Sequence, residues 1–320
     1  MFRIAAVFAS LLVAGSVFAQ AYPARAVRVI VPWPPGQATD IAARLVAAKL
    51  QEGLGQPFVI ENKPGAGGAI GTDAVAKAAG DGYTLLAASS GPISIMPNLQ
   101  KTPYDPLKDL APISVVCTNS FALVTRPNFP ASNAREFVAL VKANPDKFAF
   151  SSSGTGATAH LIAELFNTMA GLKARHVPYK GSAPALTDVI NGQIDYTLET
   201  VAAVSPHVKS GKVKLLGVTF AKGSSAFPDA PSLAKAADIP GYDIGAWIGY
   251  AAAPGTPREI TSRLAAEIAK VVQMPDVRER MLTLGLEPTS STPDEMAAFM
   301  RNEQQRYGTI IKNANIKIEQ

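Results

Sequence analysis

Apolar, β-branched runs alternate along most of the chain with segments whose apolar residues recur every three or four positions. The short apolar runs predict strands, and the three-to-four spacing predicts helices. Strands are predicted at 27–31, 57–62, 83–88, 113–117, 121–126, 148–150, 174–179, 194–201 and 213–220. Helices are predicted at 41–50, 69–79, 133–144, 157–170, 183–191, 258–273, 275–284 and 293–313. This alternation is typical of an α/β protein with parallel sheets.

The strand–helix plan occurs twice, before and after a proline-rich passage at 97–112. We therefore predict two α/β domains, with a return of the chain to the first one around Trp247. Domain 1 is predicted to comprise 22–122 and 245–320, and domain 2 to comprise 123–244. Because ligands in open α/β sheets bind beyond the carboxyl ends of the strands, two such edges facing each other would form a cleft.

The turn at 32–39 is the first candidate site. It connects the strand at 27–31 directly to the helix at 41–50 through a Pro/Gly sequence. The first amides of a helix lack intrahelical acceptors, and the helix dipole makes that end attractive to an anion. The sequence therefore predicts that this turn is one half of a ligand clamp.

A second strand-to-helix turn, Gly154-Thr155-Gly156-Ala157-Thr158-Ala159, satisfies the dinucleotide-binding fingerprint in its Gly/Ala form. The acidic residue expected about 20 positions later is missing. An anion-binding turn for another ligand is therefore better supported than a dinucleotide site. A similar turn at 65–68 leaves a structural and a ligand-contacting role open, because Ile70 replaces the third glycine.

Motifs for catalysis are missing from the sequence. It contains neither a Gly-x-Ser-x-Gly elbow nor a phosphate loop, and Ser232-Leu233-Ala234-Lys235 lacks the companion motifs of a Ser-x-x-Lys enzyme. The three histidines are dispersed, without metal-like spacing. We predict no enzymatic activity, no metal and no cofactor.

Three side chains near the predicted turns each have two interpretations. His160 lies on the first turn of its helix and either reaches the cleft or packs and caps locally. Glu199 ends an apolar strand, so it is a candidate polar residue of the cleft or a structural one. Trp33 either stacks on a ligand or packs between the domains.

Composition narrows the choice of function. A hydrophobic content of 48% over 320 residues is enough for sizeable cores. The net charge of +5 is mild and the basic residues do not cluster, so nucleic acid is not expected as a partner. Cys117 is the single cysteine and lies in an apolar run, which predicts a buried structural thiol rather than a nucleophile.

Residues 1–21 have the pattern of a cleavable signal peptide. Arg3 precedes an apolar stretch at 4–13, and cleavage sequences of small residues follow at 17–19 and 19–21. A membrane anchor is the alternative, but the apolar stretch is short. The cleavage site has no neighbouring cysteine that could carry a lipid, so a free periplasmic protein is predicted.

A set of motifs that runs in order along the mature chain resembles the Bug/TctC family of extracytoplasmic solute receptors. The motifs are Val29-Ile30-Val31-Pro32-Trp33-Pro34-Pro35-Gly36 with Thr39-Asp40, Glu61-Asn62-Lys63-Pro64-Gly65-Ala66-Gly67-Gly68, Asp81-Gly82-Tyr83-Thr84-Leu85, Pro103-Tyr104-Asp105-Pro106, His176-Val177-Pro178-Tyr179-Lys180-Gly181 with Ala185-Leu186-Thr187-Asp188, and Ala253-Pro254-Gly255-Thr256-Pro257. Each motif alone is weak, but their order and spacing together are specific.

The resemblance implies a type II periplasmic-binding-protein fold, in which two α/β domains close on a small carboxylate. The implied ligands are di- and tricarboxylates, acidic amino acids and aromatic acids, and the implied partners are the membrane subunits of a tripartite tricarboxylate transporter. A monomer is expected. The predicted ligand contacts, taken together from the resemblance and the strand ends, are Trp33, Pro35, Gly36, Gln37, Ala38, Thr39, Ser89, Ser90, Gly91, Ser153, Gly154, Thr155, Gly156, Ala157, His160, Lys180 and Glu199.

Gln37 is a departure from the family pattern, which usually continues with Gly-Gly or similar after the prolines. Glycine tolerates a positive φ, whereas glutamine does so only at a cost. The Gln37 amide either reaches the ligand or points outward, so a relative's ligand preference does not transfer directly. A transport receptor is the leading hypothesis, and a ligand-sensing periplasmic protein that contacts a signalling partner is the alternative.

Overall fold

The computed structural model describes residues 22–313 and residue 316. Its strands are β1 (Val27–Val31), β2 (Phe58–Asn62), β3 (Thr84–Ser89), β4 (Ala111–Asn119), β5 (Phe121–Thr125), β6 (Ala149–Ser152), β7 (Arg175–Pro178), β8 (Tyr196–Thr200), β9 (Lys214–Val218), β10 (Ala246–Ala252) and β11 (Leu286–Pro288). Its helices are α1 (Ala38–Leu54), α2 (Ala69–Ala76), α3 (Met96–Leu99), α4 (Ala134–Ala143), α5 (Thr158–Ala170), α6 (Ser182–Ile190), α7 (Val201–Lys209), α8 (Leu233–Ala236), α9 (Arg258–Gln273), α10 (Pro275–Thr283) and α11 (Pro293–Asn313).

The strands form two sheets. The first has the order β11-β4-β10-β3-β1-β2, and the second has the order β7-β6-β8-β5-β9. β1 pairs in parallel with β2 and β3, and β6 pairs in parallel with β7 and β8. The predicted parallel pairing is therefore present in both sheets, but each sheet is mixed. β10 enters the first sheet after the chain returns from the second and runs antiparallel to β3 and β4, and β5 is antiparallel to β8 and β9.

The chain passes from one sheet to the other at two neighbouring points. β4 of the first sheet ends at Asn119, and β5 of the second begins at Phe121. On the return, Ala246 at the start of β10 pairs with Asn119. Thr219, just after β9, accepts the amide hydrogen of Phe121 on its hydroxyl at 2.9 Å. The two crossings therefore lie side by side, at the junction of the sheets.

Apolar residues cover both faces of each sheet. In β1, Val29 belongs to the same apolar cluster as Leu264 and Ile268 of α9, whereas its neighbour Ile30 belongs to the cluster that contains Trp247 and Met300. Because a strand covered on both faces needs apolar residues at successive positions, β1 appears in the sequence as a continuous run rather than an alternation.

Helix α11 contributes to the cores around both sheets. Its Met296 and Met300 belong to the cluster behind the first sheet, and its Tyr307 belongs to the cluster of the second sheet. The Tyr307 hydroxyl donates to the carbonyl oxygen of Gly245, immediately before β10. One long helix thus supports the junction where the chain returns to the first sheet.

Two segments differ from the sequence expectation. The strand predicted to reach residue 201 ends at Thr200, because the Thr200 hydroxyl accepts the amide hydrogen of Ala203 and caps α7. The apolar Val201 and Ala202 that suggested more strand instead form the first turn of that helix. The run after β3 forms a π-helical turn over Gly91–Ile95 and then α3, which the sequence analysis did not anticipate.

The predicted signal peptide, residues 1–21, lies outside the described residues. Within the part of the chain that is described, no helix combines the length and the apolar character needed to cross a bilayer. Cys117 lies in the core with its thiol unpaired, in agreement with the prediction of a structural cysteine. Burial raises the pKa of that thiol well above its usual value.

Candidate functional site

An inner cavity of about 40 Å³ lies at the junction of the two sheets. Residues at strand ends and helix starts of both sheets form its wall. They are Trp33, Gln37, Ala38, Thr39, Ser89, Ser90, Asn119, Phe121, Ser153, Thr158, Ala159, Glu199, Thr200, Ala246, Trp247 and Ile248. Most of the polar atoms in this wall come from hydroxyl, amide and carboxyl groups.

The amino terminus of α1 points into this cavity from the first sheet. Gln37 is the N-cap residue, with φ −77° and ψ 159°, and its side chain does not cap the helix. Ala38 and Thr39 of the first turn line the cavity. Their amides are among those that have no intrahelical acceptor, and they lie at the positive end of the helix dipole.

The amino terminus of α5 has the same arrangement in the second sheet. Ala157 is its N-cap, with φ −66° and ψ 158° and no side-chain cap, and Thr158 and Ala159 line the inner cavity. Two uncapped helix starts, one from each sheet, therefore meet at a single small cavity.

Asp40 holds the turn before α1 in place. Its Oδ2 accepts the amide hydrogen of Gly36 at 2.9 Å, and its Oδ1 accepts from Arg44 Nε at 3.0 Å and Asn62 Nδ2 at 2.8 Å. Burial alone would raise the pKa of Asp40, but the hydrogen bonds from Arg44, Gly36 and Asn62 together hold it below its usual range. Asn62 also donates to the carbonyl oxygen of Trp33 at 2.9 Å, which ties the start of the turn to the same network.

His160 holds the second turn and does not line the inner or the outer cavity. Its Nδ1 accepts the amide hydrogen of Gly156 at 3.2 Å, and its ring stacks on His176 with 3.9 Å between centroids. Burial, with a smaller effect of His160, lowers the pKa of His176 to about 3. Of the two roles left open by the sequence, these contacts favour packing and capping, and the ligand contact of His160 stays a prediction.

Trp33 packs between the two sheets and also forms part of the cavity wall. Its indole Nε1 donates to Ser89 Oγ at 2.9 Å. A Cβ added to Gly91 would lie 2.8 Å from its Cζ2, so Gly91 leaves the space that the ring occupies. The indole has little freedom in this position, and it lines both the inner cavity and a larger outer one.

Glu199 and Gln37 face the inner cavity with incomplete hydrogen bonding. Glu199 is 2% exposed, and its Oε1 accepts the amide hydrogen of Thr200 at 2.8 Å, whereas its Oε2 has no partner among the described residues. Burial raises the pKa of Glu199. The Thr200 amide and the nearby hydroxyls of Ser182, Thr200 and Ser153 oppose this effect, although none of these hydroxyls forms a hydrogen bond of ordinary geometry with Oε2. Gln37 is 8% exposed, and its Nε2 likewise has no partner in the described part of the chain.

Gln37 points inward, and its backbone is unstrained. The positive φ of the turn, +84°, belongs to Gly36, whereas Gln37 is extended. The concern that a side chain at position 37 would require an unfavourable φ was therefore wrong.

The outer cavity, of about 510 Å³, opens beyond Trp33. Its wall includes the glycine turn that follows β2 and the two turns that follow β6 and β7. The residues are Trp33, Pro34, Pro64, Gly65, Ala66, Gly67, Gly68, Ser153, Gly154, Thr155, Ala157, Tyr179, Lys180 and Gly181. Lys180 is the one cationic side chain in this wall.

Most of the predicted contact residues line one of these two cavities. The exceptions are Pro35, Gly36, Gly91, Gly156 and His160. The amides of Gly36 and Gly156 already donate to Asp40 and His160. As ligand contacts, all the predicted residues stay predictions.

Sequence reasoning missed several wall residues. Asn119 lies at the crossing between the sheets. Thr200 was placed within the strand predicted at 194–201, because helix α7 was not predicted. Thr158 was placed in a helix, although its position one residue after the uncapped Ala157 could have indicated the cavity. Among residues 22–313 and 316, no three His, Cys, Asp or Glu side chains come together as a set that could hold a metal ion.

Comparison with known proteins places these features in a family. The family profile described as "Tripartite tricarboxylate transporter family receptor" matches residues 42–316. Protein BugT of Bordetella pertussis is 38% identical over 312 residues, which cover 96% of this chain and 94% of BugT.

Solved structures of similar proteins agree with the fold. The periplasmic binding protein BugD has a TM-score of 0.88 and 33% identity, covering 93% of this chain and 100% of BugD. R. palustris Rpa4515 with adipate has a TM-score of 0.89 and 33% identity over 92% of this chain and 99% of Rpa4515. MatC (Rpa3494) from Rhodopseudomonas palustris with bound malate has a TM-score of 0.85 and 32% identity over 91% of this chain and 100% of MatC.

Proposed function

The chain belongs to the tripartite tricarboxylate transporter family of receptors, and on this premise we propose that it captures a small carboxylate between its two sheets. Members of the family are periplasmic solute receptors, not enzymes, and they work with the membrane components of a transporter. The predictions of family, fold class and receptor role are confirmed. The ligand and the residues that bind it are the subject of the proposal.

The observation that carries the proposal is the meeting of two uncapped helix starts at the inner cavity. Ala38 and Thr39 approach it from α1, and Thr158 and Ala159 approach it from α5. A helix start favours an anion by about 0.3–1 kcal/mol when exposed and by up to about 2 kcal/mol when partly buried. Two such starts, together with the surrounding hydroxyls, can hold a carboxylate without an arginine.

The outer cavity would hold the remainder of the ligand. Its volume of about 510 Å³ lies within the range of about 300–1,000 Å³ that is usual for small-molecule sites. Lys180 supplies a positive charge there, which suits a second carboxylate. Adipate and malate, bound by two related proteins, are both dicarboxylates, so a dicarboxylate is the ligand class we propose.

We further propose that residues 1–21 direct export and are removed. The mature receptor would be a monomer that delivers its ligand to membrane transporter subunits. The separation of the chain into domain 1 (22–122 and 245–320) and domain 2 (123–244), moving as two lobes about the crossings, is part of the same proposal.

A thermal-shift screen tests the proposal. The purified mature protein is heated with mono-, di- and tricarboxylates, acidic amino acids and aromatic acids, and adipamide serves as the uncharged match for adipate. A bound acid at about a hundred times its Kd adds roughly 2.7 kcal/mol of stability, so a clear rise in Tm is expected for at least one dicarboxylate and none for adipamide. No rise with any carboxylate would overturn the proposal.

A further inference from the structure

The inner cavity contains a carboxyl group although the family binds carboxylates. Glu199 ends β8, is 2% exposed and leaves Oε2 without a partner among the described residues. Two carboxylates that are buried together without a cation repel each other, and each also loses its hydration. The ionisation of Glu199 must therefore be accounted for in any description of ligand binding.

The wall of the inner cavity offers no cation to offset the charge of Glu199. Among the residues that form it, Glu199 is the single titratable side chain. Strand β8 lies between β5 and β6 in the sheet. Neither β5 (Phe121–Thr125) nor β6 (Ala149–Ser152) contains a titratable residue.

Titratable side chains on the elements around the cavity have partners elsewhere or lie far along a helix. Asp40 pairs with Arg44, and His160 faces His176 and Glu164. Tyr179 donates to Asp188, and Tyr250 donates to the Ala43 carbonyl oxygen. His207 and Lys209 lie in the last turn of α7. None of these groups lines the inner cavity beside Glu199.

Two further polar atoms of the cavity wall have no partner among the described residues, the donor Gln37 Nε2 and the acceptor Asn119 Oδ1. Gln37 Nε2 is buried, and a Cβ built on Gly181 would lie 3.7 Å from it, which places the amide where the turns of the two sheets approach each other. A protonated Glu199 would present a second donor, Oε2–H, to the same cavity. Two donors suit the two oxygens of one carboxylate group.

We propose that one carboxylate group of the ligand enters the inner cavity and accepts hydrogen bonds from a protonated Glu199 Oε2 and from Gln37 Nε2. This assignment rests on the proposed function and identifies the specificity-determining pair of the site. The carboxyl proton stays covalently bound to Glu199 Oε2 and is donated to a ligand oxygen in a hydrogen bond, so no covalent bond forms or breaks.

Ligand binding is then linked to a proton. The ligand anion stabilises the protonated form of Glu199, so the pKa of that group is higher in the complex than in the free receptor. Between those two pKa values, binding takes up one proton from solution. Kd rises with pH in that interval by up to tenfold per pH unit.

Calorimetry with malate, adipate and the strongest binder of the carboxylate screen tests this linkage. The measurements run from about pH 6.5 to about pH 9, where the carboxylates of these ligands are ionised because reference carboxyl pKa values lie near 4. The wild-type protein is compared with Glu199→Gln, which keeps the size of the side chain and a donor but cannot ionise. The matched control is Glu279→Gln, which removes an exposed carboxylate of α10 that lines neither cavity.

The wild-type protein and Glu279→Gln are expected to lose affinity as pH rises, with proton uptake visible as a heat that depends on the buffer. Glu199→Gln is expected to bind at all these pH values with a Kd within a few-fold of the wild-type value at low pH. A wild-type Kd that does not change with pH would overturn the inference. So would a loss of more than tenfold in Glu199→Gln at the lowest pH, because an ionised Glu199 would then be contacting a hydroxyl or ammonium group of the ligand.

The proposed function and the role of Glu199 are overturned by different results. If no carboxylate binds at any pH, the proposed function is overturned and this inference with it. If carboxylates bind without the proton linkage, the proposed function stands and the role of Glu199 alone is overturned.

Discussion

Asp40 and His160 occupy the same position, the third residue of the helix, in α1 and α5, and each accepts the amide hydrogen of the glycine four residues earlier. The distances are 2.9 Å from Gly36 to Asp40 Oδ2 and 3.2 Å from Gly156 to His160 Nδ1. An anionic and an aromatic side chain therefore serve the same local geometry. In both turns the glycine amide is used internally, and the first-turn amides of the helix stay available to a ligand.

Asp40→Asn should weaken both the fold and ligand binding. The substitution removes the charge that Gly36, Arg44 and Asn62 share, and a buried network of this kind is worth about 1–3 kcal/mol. We expect a lower free energy of unfolding in urea and a higher Kd for the ligand identified in the screen.

The control for Asp40→Asn is Asp276→Asn. Asp276 pairs with Lys49 on the surface, so neither stability nor Kd should change measurably. Equal behaviour of the two variants would contradict the role given to Asp40.

Gly91→Ala should disturb the packing of Trp33. Its Cβ would lie 2.8 Å from Trp33 Cζ2 and 3.3 Å from Thr158 Oγ1, which belong to different sides of the cavity. The added methyl group would displace the indole or separate the two sides, so we expect at least a tenfold increase in Kd. Gly53→Ala in α1, whose nearest contact would be 3.8 Å away, should leave Kd unchanged and stabilise the helix by up to about 1 kcal/mol. Equal Kd values in the two variants would count against a tightly packed cleft.

Trp33→Phe should lower ligand affinity modestly and remove most of a ligand-induced fluorescence change. Phenylalanine keeps the aromatic packing but removes the hydrogen bond to Ser89, which is worth about 1 kcal/mol. Trp33 lines both cavities, so its emission should respond to ligand in the wild-type protein. Trp247 also lines the inner cavity, but its indole nitrogen donates to Ser94 and its ring packs on Phe299, so Trp247→Phe, which keeps Trp33, should retain most of that response. A ligand response of undiminished size in Trp33→Phe would show that Trp33 does not report on the site.

Mild acid should destabilise the protein through His176. The pKa of this histidine is about 3 in the folded chain against a reference of about 6.5 when unfolded, so the unfolded state binds one more proton between those values. The free energy of unfolding therefore falls as pH drops from about 6.5 toward 3, by less than about 1.4 kcal/mol per pH unit because the ring is partly exposed. Urea denaturation of His176→Gln should show a shallower decline with acid than the wild-type protein. Parallel declines would contradict this assignment.

The local turns could be predicted from the sequence because strand, turn and helix signals are adjacent in the chain. Val27–Val31, the Pro/Gly turn and the start of α1 form such a unit, and so do β6 and α5. The strand that was predicted through residue 201 shows the limit of this approach. A single hydroxyl, on Thr200, decides where the strand stops, and apolar Val201 suits a strand as well as a buried helix.

The inner cavity could not be predicted residue by residue because distant segments form it. Ser153 and Glu199 come together because β6 and β8 pair, and Asn119 joins them from a crossing between the sheets, so no local pattern encodes that meeting. The direction of Gln37 depends on Gly36, which takes the positive φ and leaves Gln37 extended. The role of His160 depends on the Gly156 amide, a contact that its sequence position alone left open.

The backbone amides at the two helix starts test the central claim most directly. Two-dimensional ¹H–¹⁵N NMR of the labelled mature protein, titrated with malate or adipate, follows each amide as ligand is added. We predict that the largest shifts occur at Ala38, Thr39, Thr158 and Ala159, and that Gly36 and Gly156, which already donate to Asp40 and His160, change least. Saturable binding whose largest shifts lie elsewhere, such as at the surface cavity beside Leu165 and Met169, would contradict the account.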